Sequence, residues 1–419
     1  MRKKILLATG GTGGHIYPAM GLAQQFAQEN ADVRFIGGGL SQNRYFDKES
    51  FPFYSVSCGT FSGKSPVPLF RACGKVLKGI WESRAIIRNF QPHVIVGFGS
   101  YYSFPPLVAA QFQSIPIILH EANSIPGKVN KLLAPYAMAT GVHFPRTLSL
   151  VKGNVHEVGM PLRRQFKKDS VTRSEARRYF GLSNDSRVLL VFGGSQGAQI
   201  INTRVMEALN LETAVQDGKV MQDFESDALT AGGDHSQRVK APPAVSGYGS
   251  KDCVNFPSST AVSRLKSINL GMEVIHITGD GEQIPLLKQA YSDSGIHACV
   301  KAFEGRMEMA WQAADCVISR AGAGSIAEQL EFEVPGILIP FARAADNHQN
   351  DNADFLVDVV CGARKLQEHS LNAQTLRQQI LDFLSQDSDL LLTMKSSMRN
   401  YKNKTRTRDL YALINELVF

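Results

Sequence analysis

Three glycine-rich turns hold the residue types that could do chemistry. The first is Ala8-Thr9-Gly10-Gly11-Thr12-Gly13-Gly14-His15. Four glycines let a backbone come close to a ligand, and the free N–H groups at the start of a following helix favour an anion. His15 adds an acid–base group to that cradle. A tight strand-to-helix turn with an incidental histidine is the plainer reading of this segment alone. The second turn is Gly193-Gly194-Ser195-Gln196-Gly197, and the third is Arg320-Ala321-Gly322-Ala323-Gly324-Ser325. One such turn is weak evidence. Three of them, divided between the two halves of the chain, imply a phosphorylated ligand held between two α/β domains.

Each turn needs a strand before it and a helix after it, and the sequence supplies both. Ile5-Leu6-Leu7 leads into the first turn, and a helix opening with Pro18 is expected after it, since Pro in a first helical turn loses no hydrogen bond. Val188–Phe192 leads into the second turn and a helix from Ala198. Asp315–Ser319 leads into the third, and Ile326–Leu330 starts a helix. Further strands are expected at Val33–Ile36, His93–Gly97, Ile115–Leu119, Val155–Val158, Glu273–Gly279, Ala298–Phe303 and Pro335–Pro340, with a helix over Val76–Asn89. This alternation predicts an α/β protein of parallel sheets covered on both faces. Gly159–Arg163 reads as a hinge and Lys167–Thr172 as a linker. The expected division is residues 1–165, residues 166–400, and a helix in 401–419 that could pack back on the first domain. Glu212 to about Ser259 is polar and irregular, with Pro242-Pro243, and reads as a surface insertion or disordered loop.

A chain of 419 residues exceeds one ordinary core and suits two domains. The 45 basic and 38 acidic residues leave +7, which permits an anionic partner without choosing one. Lys and Arg are dispersed, which argues against nucleic acid. The six cysteines form no C-x-x-C or Cys/His cluster, so a reducing compartment and no structural metal are expected. No run reaches the ~18–20 apolar residues of a membrane span, and the apolar stretch after Lys4 stops too soon for a signal peptide, so a cytoplasmic protein is expected.

Two nucleotide-binding readings fail on their residues. A dinucleotide oxidoreductase needs G-x-G-x-x-G and an acidic residue ending the second strand; here Ile16 stands at the last glycine position and the strand ends in Gly37-Gly38-Gly39. None of the turns has the Gly-Lys-Ser/Thr of a Walker A loop. Ser325-Ile326-Ala327-Glu328 has two readings. Spacing alone favours a capping box with Ser325 as N-cap; the sharper alternative has Glu328 accepting hydrogen bonds from two ribose hydroxyls.

The full set of motifs adds more. Gly10–His15, Gly97-Phe98-Gly99-Ser100-Tyr101, His120-Glu121-Ala122-Asn123, Gly193–Ala198, Ser319–Ala323 and Asn347-His348-Gln349-Asn350-Asp351-Asn352-Ala353 occur in the order and approximate spacing of one family. The chain resembles the MurG family of glycosyltransferases (family 28) over essentially its whole length except the insertion. That resemblance implies the GT-B fold, two Rossmann-like doubly wound domains with UDP-N-acetylglucosamine in the cleft. It implies inverting, metal-independent transfer, without a cofactor, to undecaprenyl-pyrophosphoryl-MurNAc-pentapeptide. It further implies a peripheral enzyme on the cytoplasmic face of the inner membrane, bound to an anionic lipid surface. Carried over residue by residue, His15 matches the proposed base. Thr12, Gly13, Gly14, Asn123 and Arg163 match donor contacts from the first domain. From the second, Ser195 with Ala323, Gly324 and Ser325 would meet the diphosphate and Glu328 the ribose. The Phe303-Glu304 backbone would meet uracil, and Gln349, with His348, the sugar. Ala122 stands where Gln is usual, His348 where Gln is frequent, and the insertion is atypical. Val67, Leu69, Phe70, Val76, Leu77, Ile80 and Trp81, mixed with Arg71, Lys75 and Lys78, suit a membrane-facing patch; a core role for most of these apolar side chains is the alternative.

Overall fold

The structure is a computed structural model that describes residues 2–59, 66–194, 199–209, 271–344, 347–384, 389–405 and 408–419. The expected insertion at 212–259 lies outside the described residues.

The first lobe runs β1 (Lys4–Ala8), α1 (Gly13–Gln28), β2 (Asp32–Gly37), β3 (Phe53–Ser55), α2 (Pro66–Phe90), β4 (Val94–Gly97), α3 (Phe104–Gln111), β5 (Ile117–Glu121), α4 (Lys128–Leu133), β6 (Ala139–Val142) and β7 (Val155–Glu157). Its strands form one parallel sheet in the order β3-β2-β1-β4-β5-β6-β7. Successive strand residues point to opposite faces, and both faces are covered. Ile5 and Leu7 join Ile16, Leu22 and Phe26 on one side, while Leu6 and Ala8 join Ile87, Ile95 and Leu107 on the other.

The second lobe runs α5 (Arg173–Tyr179), β8 (Arg187–Phe192), α6 (Gln199–Ala208), β9 (Met272–Ile277), α7 (Ile284–Asp293), β10 (Ala298–Lys301), α8 (Met307–Ala313), β11 (Cys316–Ser319), α9 (Ala323–Phe332), β12 (Gly336–Leu338), α10 (His348–Asp354), β13 (Ala363–Lys365), α11 (Ala373–Leu384) and α12 (Leu390–Lys404). Its parallel sheet has the order β10-β9-β8-β11-β12-β13. Leu189 and Val191 face one core, and Val188, Leu190 and Phe192 the other. The last helix, α13 (Leu410–Val418), returns to the first lobe: Leu410, Leu413 and Ile414 are buried among Ile5, Phe26 and Val158, and the Gly159 N–H donates to the Arg408 carbonyl at 3.0 Å.

In each sheet the strand order reverses beside the first strand, between β1 and β4 and between β8 and β11. Ligands of open α/β sheets bind outside the strand ends at such a reversal. The glycine turns after β1, β4, β8 and β11 therefore lie where the topology puts a ligand.

Three strands were not legible in advance. β3 and β13 are three residues each, and β6 is Ala-Thr-Gly-Val, buried between neighbours but only four residues long and interrupted by a glycine. The segment read as a linker ends in a helix start: Thr172 and Glu175 form a reciprocal capping box on α5. Among the described residues, no helix is long and apolar enough to cross a membrane.

Candidate active site

The first turn leaves β1 and enters α1 earlier than the sequence suggested. The helix begins at Gly13, so Pro18 is an interior residue and not its opening one. The glycines explain the difference, because they let the chain turn tightly and start coiling at once. Gly11 has φ +84°, and a Cβ on Gly10 would lie 2.6 Å from Tyr102 Cβ, on the neighbouring turn after β4. Thr12 is the extended N-cap, exposed, with Gly14 exposed beside it. His15 therefore sits inside the first helical turn. Its Nδ1 is 3.4 Å from Thr12 Oγ1, and its backbone carbonyl accepts the Thr9 hydroxyl at 3.0 Å. Gly99, with φ +78°, passes under the ring; a Cβ there would lie 3.5 Å from His15 Cδ2. Burial, and second the nearby His348, push the His15 pKa down to about 4. The imidazole is neutral near pH 7 and able to accept a proton.

Asn123 is held from below and from across the cleft. The buried Glu121 carboxylate accepts the Asn123 N–H at 3.0 Å, the Gly127 N–H at 2.9 Å and Asn130 Nδ2 at 2.8 Å. Burial raises the Glu121 pKa despite those donors. From the second lobe, Asn352 Nδ2 approaches Asn123 Oδ1 at 3.3 Å and donates to the Ala321 carbonyl at 3.2 Å, while its Oδ1 accepts the Ser124 N–H at 2.9 Å. One buried amide thus joins the His120–Asn123 segment to the third glycine turn. Phe144 packs on Phe355 at 5.0 Å in the same interlobe cluster, and Arg146 pairs with Asp351. The Arg163 guanidinium stacks on Tyr17 at 4.3 Å and on Phe166 at 4.5 Å.

In the third turn the capping-box reading fails. The N-cap of α9 is Gly322, so Ser325 is the third helical residue and Glu328 the sixth. The N–H groups of Ala323, Gly324 and Ser325 belong to the first turn and are available to an anion. Glu328 instead accepts Trp311 Nε1–H from α8 at 2.8 Å. Burial raises its pKa to about 7, against the opposing pull of the Trp311 hydrogen bond and Arg163. Gln349, on α10, accepts the Phe341 N–H at 2.9 Å. Glu304 is buried after β10 and held by Lys301 Nζ at 2.7 Å, the Arg306 N–H at 2.8 Å and the Tyr179 hydroxyl at 3.1 Å. Burial opposes ionisation there, but these donors outweigh it and lower the pKa. Phe303 beside it is 70% exposed. Ser195 lies outside the described residues.

The structure therefore brings His15, Asn123 and Arg163 of the first lobe to Glu328, His348 and the α9 N-terminus of the second. A model of the glycosyltransferase family 28 N-terminal domain matches residues 5–142, and one of the family 28 C-terminal domain matches 249–410. The chain belongs to glycosyltransferase family 28. A relative from Protochlamydia amoebophila is 42% identical over 96% of this chain and 92% of its own length. One from Chlamydia felis is 31% identical over 99% and 98%. Both bear the name UDP-N-acetylglucosamine–N-acetylmuramyl-(pentapeptide) pyrophosphoryl-undecaprenol N-acetylglucosamine transferase. The crystal structure of Acinetobacter baumannii MurG has the same GT-B fold, with TM-score 0.65, 22% identity and 99% of each chain covered.

Within this family 28 cleft, sequence reasoning did not assign Glu121, Asn352, Trp311 or Tyr17. Glu121 and Asn352 stood in quoted motifs, but nothing in their spacing said that one supports Asn123 and the other spans the lobes. Trp311 lies 17 residues before Glu328, on a different helix. Among the described residues, no three His, Cys, Asp or Glu side chains gather as a metal site would require.

Proposed function

We propose that this enzyme transfers N-acetylglucosamine from UDP-N-acetylglucosamine to the 4-hydroxyl of undecaprenyl-pyrophosphoryl-MurNAc-pentapeptide. The observation that carries this reading is the meeting, in one cleft, of a neutral histidine at one helix start with a half-buried carboxylate behind another. Its support outside the cleft is the identity to relatives that bear that activity in their names.

His15 accepts the proton of the acceptor hydroxyl as its oxygen attacks the anomeric carbon. The bond from that carbon to UDP breaks on the opposite side, so one displacement inverts the centre. Negative charge grows on the leaving diphosphate, where the Ala323, Gly324 and Ser325 amides stabilise it together with the turn containing Ser195. Glu328 accepts the ribose hydroxyls, and the Phe303-Glu304 backbone meets uracil. Thr12, Gly13, Gly14, Asn123 and Arg163 close on the donor from the first lobe, and Gln349 contacts its sugar. Residues 1–165 serve the acceptor and the membrane side, residues 166–400 hold the nucleotide, and the last helix ties the chain back to the first lobe.

The acceptor's lipid requires a membrane surface, and the reading includes peripheral attachment to an anionic inner-membrane leaflet on its cytoplasmic face. Phe70, Leu77 and Trp81 are 82%, 67% and 77% exposed along α2, among exposed Arg71, Lys75 and Lys78. Val76 is buried and Ile80 packs on the first core, so those two leave the patch; the side chains of Val67 and Leu69 lie outside the described residues. Release of UDP from UDP-N-acetylglucosamine only when the lipid-linked MurNAc acceptor is present tests the reading. Equal activity with unrelated acceptors, or none with this one, overturns it.

A further inference from the structure

A cavity of about 260 Å³ opens at Tyr17, on α1 just after the first glycine turn. Tyr17, Gln24, Arg44, Tyr45, Asp47 and Arg163 line it. Its walls are tied to the reaction centre. The Tyr17 ring lies over Gly13, where a Cβ would come within 2.9 Å of it, and Asn43 Nδ2 donates to the Gly11 carbonyl at 2.7 Å. The Tyr17 hydroxyl lies within electrostatic reach of Arg163, Glu328, Tyr45 and Arg44. Arg44 lies over the Tyr45 ring at 4.8 Å, as Arg163 does over Tyr17 at 4.3 Å. Asp47 is already held by the Ser50 hydroxyl and by the Glu49 N–H at 3.1 Å. The lining thus holds two guanidiniums, each over an aromatic face and Arg44 also donating to the Tyr45 hydroxyl, and one carboxylate that has its own donors. The balance favours an anion with planar, bidentate acceptors.

We infer that this cavity receives the peptide arm of the acceptor and binds its C-terminal carboxylate through Arg44. The inference rests on the transferase reading above. The lactyl-peptide branch of MurNAc leaves from O3, the ring position next to the reacting O4, so the peptide begins beside His15. The Tyr17 ring lies against Gly13, in the turn that leads to His15, and five extended residues reach roughly 17 Å. Any peptide attached through its N-terminus ends in a free carboxylate. The polyprenyl chain does not suit this polar lining.

Kinetics with two acceptors test it: lipid-linked MurNAc-pentapeptide with a free C-terminal carboxylate, and the same molecule with a C-terminal amide. For the unaltered enzyme the amide should raise KM about tenfold, the scale of one charge-assisted hydrogen bond. Arg44→Ala should raise KM about tenfold on the carboxylate acceptor and leave it unchanged on the amide. Arg44→Lys should recover part of the loss, and UDP affinity should not move. An Arg44→Ala effect that is absent, or equal on both acceptors as a pyrophosphate contact would give, overturns the inference and leaves the transferase reading standing. Failure of the unaltered enzyme on both acceptors sinks that reading and this one together.

Discussion

The first and third glycine turns share a plan and carry opposite chemistry. Each follows the strand at a sheet reversal and opens a helix whose first residues are glycine or alanine. Behind one stands His15, whose pKa burial lowers to about 4; behind the other stands Glu328, whose pKa burial raises to about 7. A single cause, poor solvation of charge, acts on a base and on an acid and drives both toward neutrality. The difference teaches how one dry cleft serves two purposes. A neutral imidazole is ready for a proton at any pH above about 4. The carboxyl is balanced between two states near neutrality, so pH and ligand can both change it.

Breaking the histidine side should have the largest effect. His15→Ala should lower kcat by ~10²–10⁴-fold, the span of a lost general base, with UDP affinity nearly intact. A near-normal kcat from stopped assays would leave His15 only a role in shaping the turn. Breaking the other side comes next. Glu328→Ala should weaken UDP and UDP-N-acetylglucosamine alike by ~10–100-fold, read by calorimetry, because both share the ribose. Loss restricted to the sugar nucleotide would move Glu328 away from the ribose.

A smaller effect sharpens the contrast. Since the Glu328 pKa is raised to about 7, UDP affinity should climb severalfold from pH 6 to pH 8 as the carboxylate forms. The stability sign is the reverse. A raised carboxyl pKa favours the unliganded fold below the ordinary value of 4.5, and that contribution is lost as pH rises through about 7. Glu328→Gln should therefore flatten the affinity profile and raise Tm at pH 8 more than at pH 5. An unchanged profile in the Gln variant would assign the titration to another group. The smallest effect on chemistry should come from α2. Phe70→Ser, Leu77→Ser and Trp81→Ser together should reduce sedimentation with anionic vesicles while turnover on a short-chain acceptor persists. Retained vesicle binding would place the membrane surface elsewhere.

The elements around the turns were legible because long buried parallel strands write themselves as apolar runs such as Val188–Phe192. The short ones did not: β13 is Ala-Arg-Lys, and its pairing comes from β12 rather than from its own residues. The helix starts were misjudged for a related reason. Pro18 and Ser325 are good opening signals, but glycine backbones let α1 and α9 begin earlier, at Gly13 and Ala323. On α2 the period of the helix marked an apolar stripe without saying which side was covered; Val76 is buried and Ile80 packs on the core that holds Leu6 and Ala8, while Trp81 is left outside. The site's supports were the least visible, since Asn352 acts through contacts with Ala321, 31 positions away, and with Asn123 and Ser124, more than two hundred positions away.

The placement of α13 sets an order of events at the ribosome. Leu410, Leu413 and Ile414 complete a core whose other walls, from Ile5 to Val158, were made first. At about 5–20 residues per second, the early lobe waits tens of seconds for its last wall. The second lobe, whose core closes with residues up to Met394, can finish before the first does. The first lobe therefore spends most of synthesis with apolar surface uncovered. Removing residues 410–419 would leave that surface bare, a structural consequence of a change far from any catalytic group.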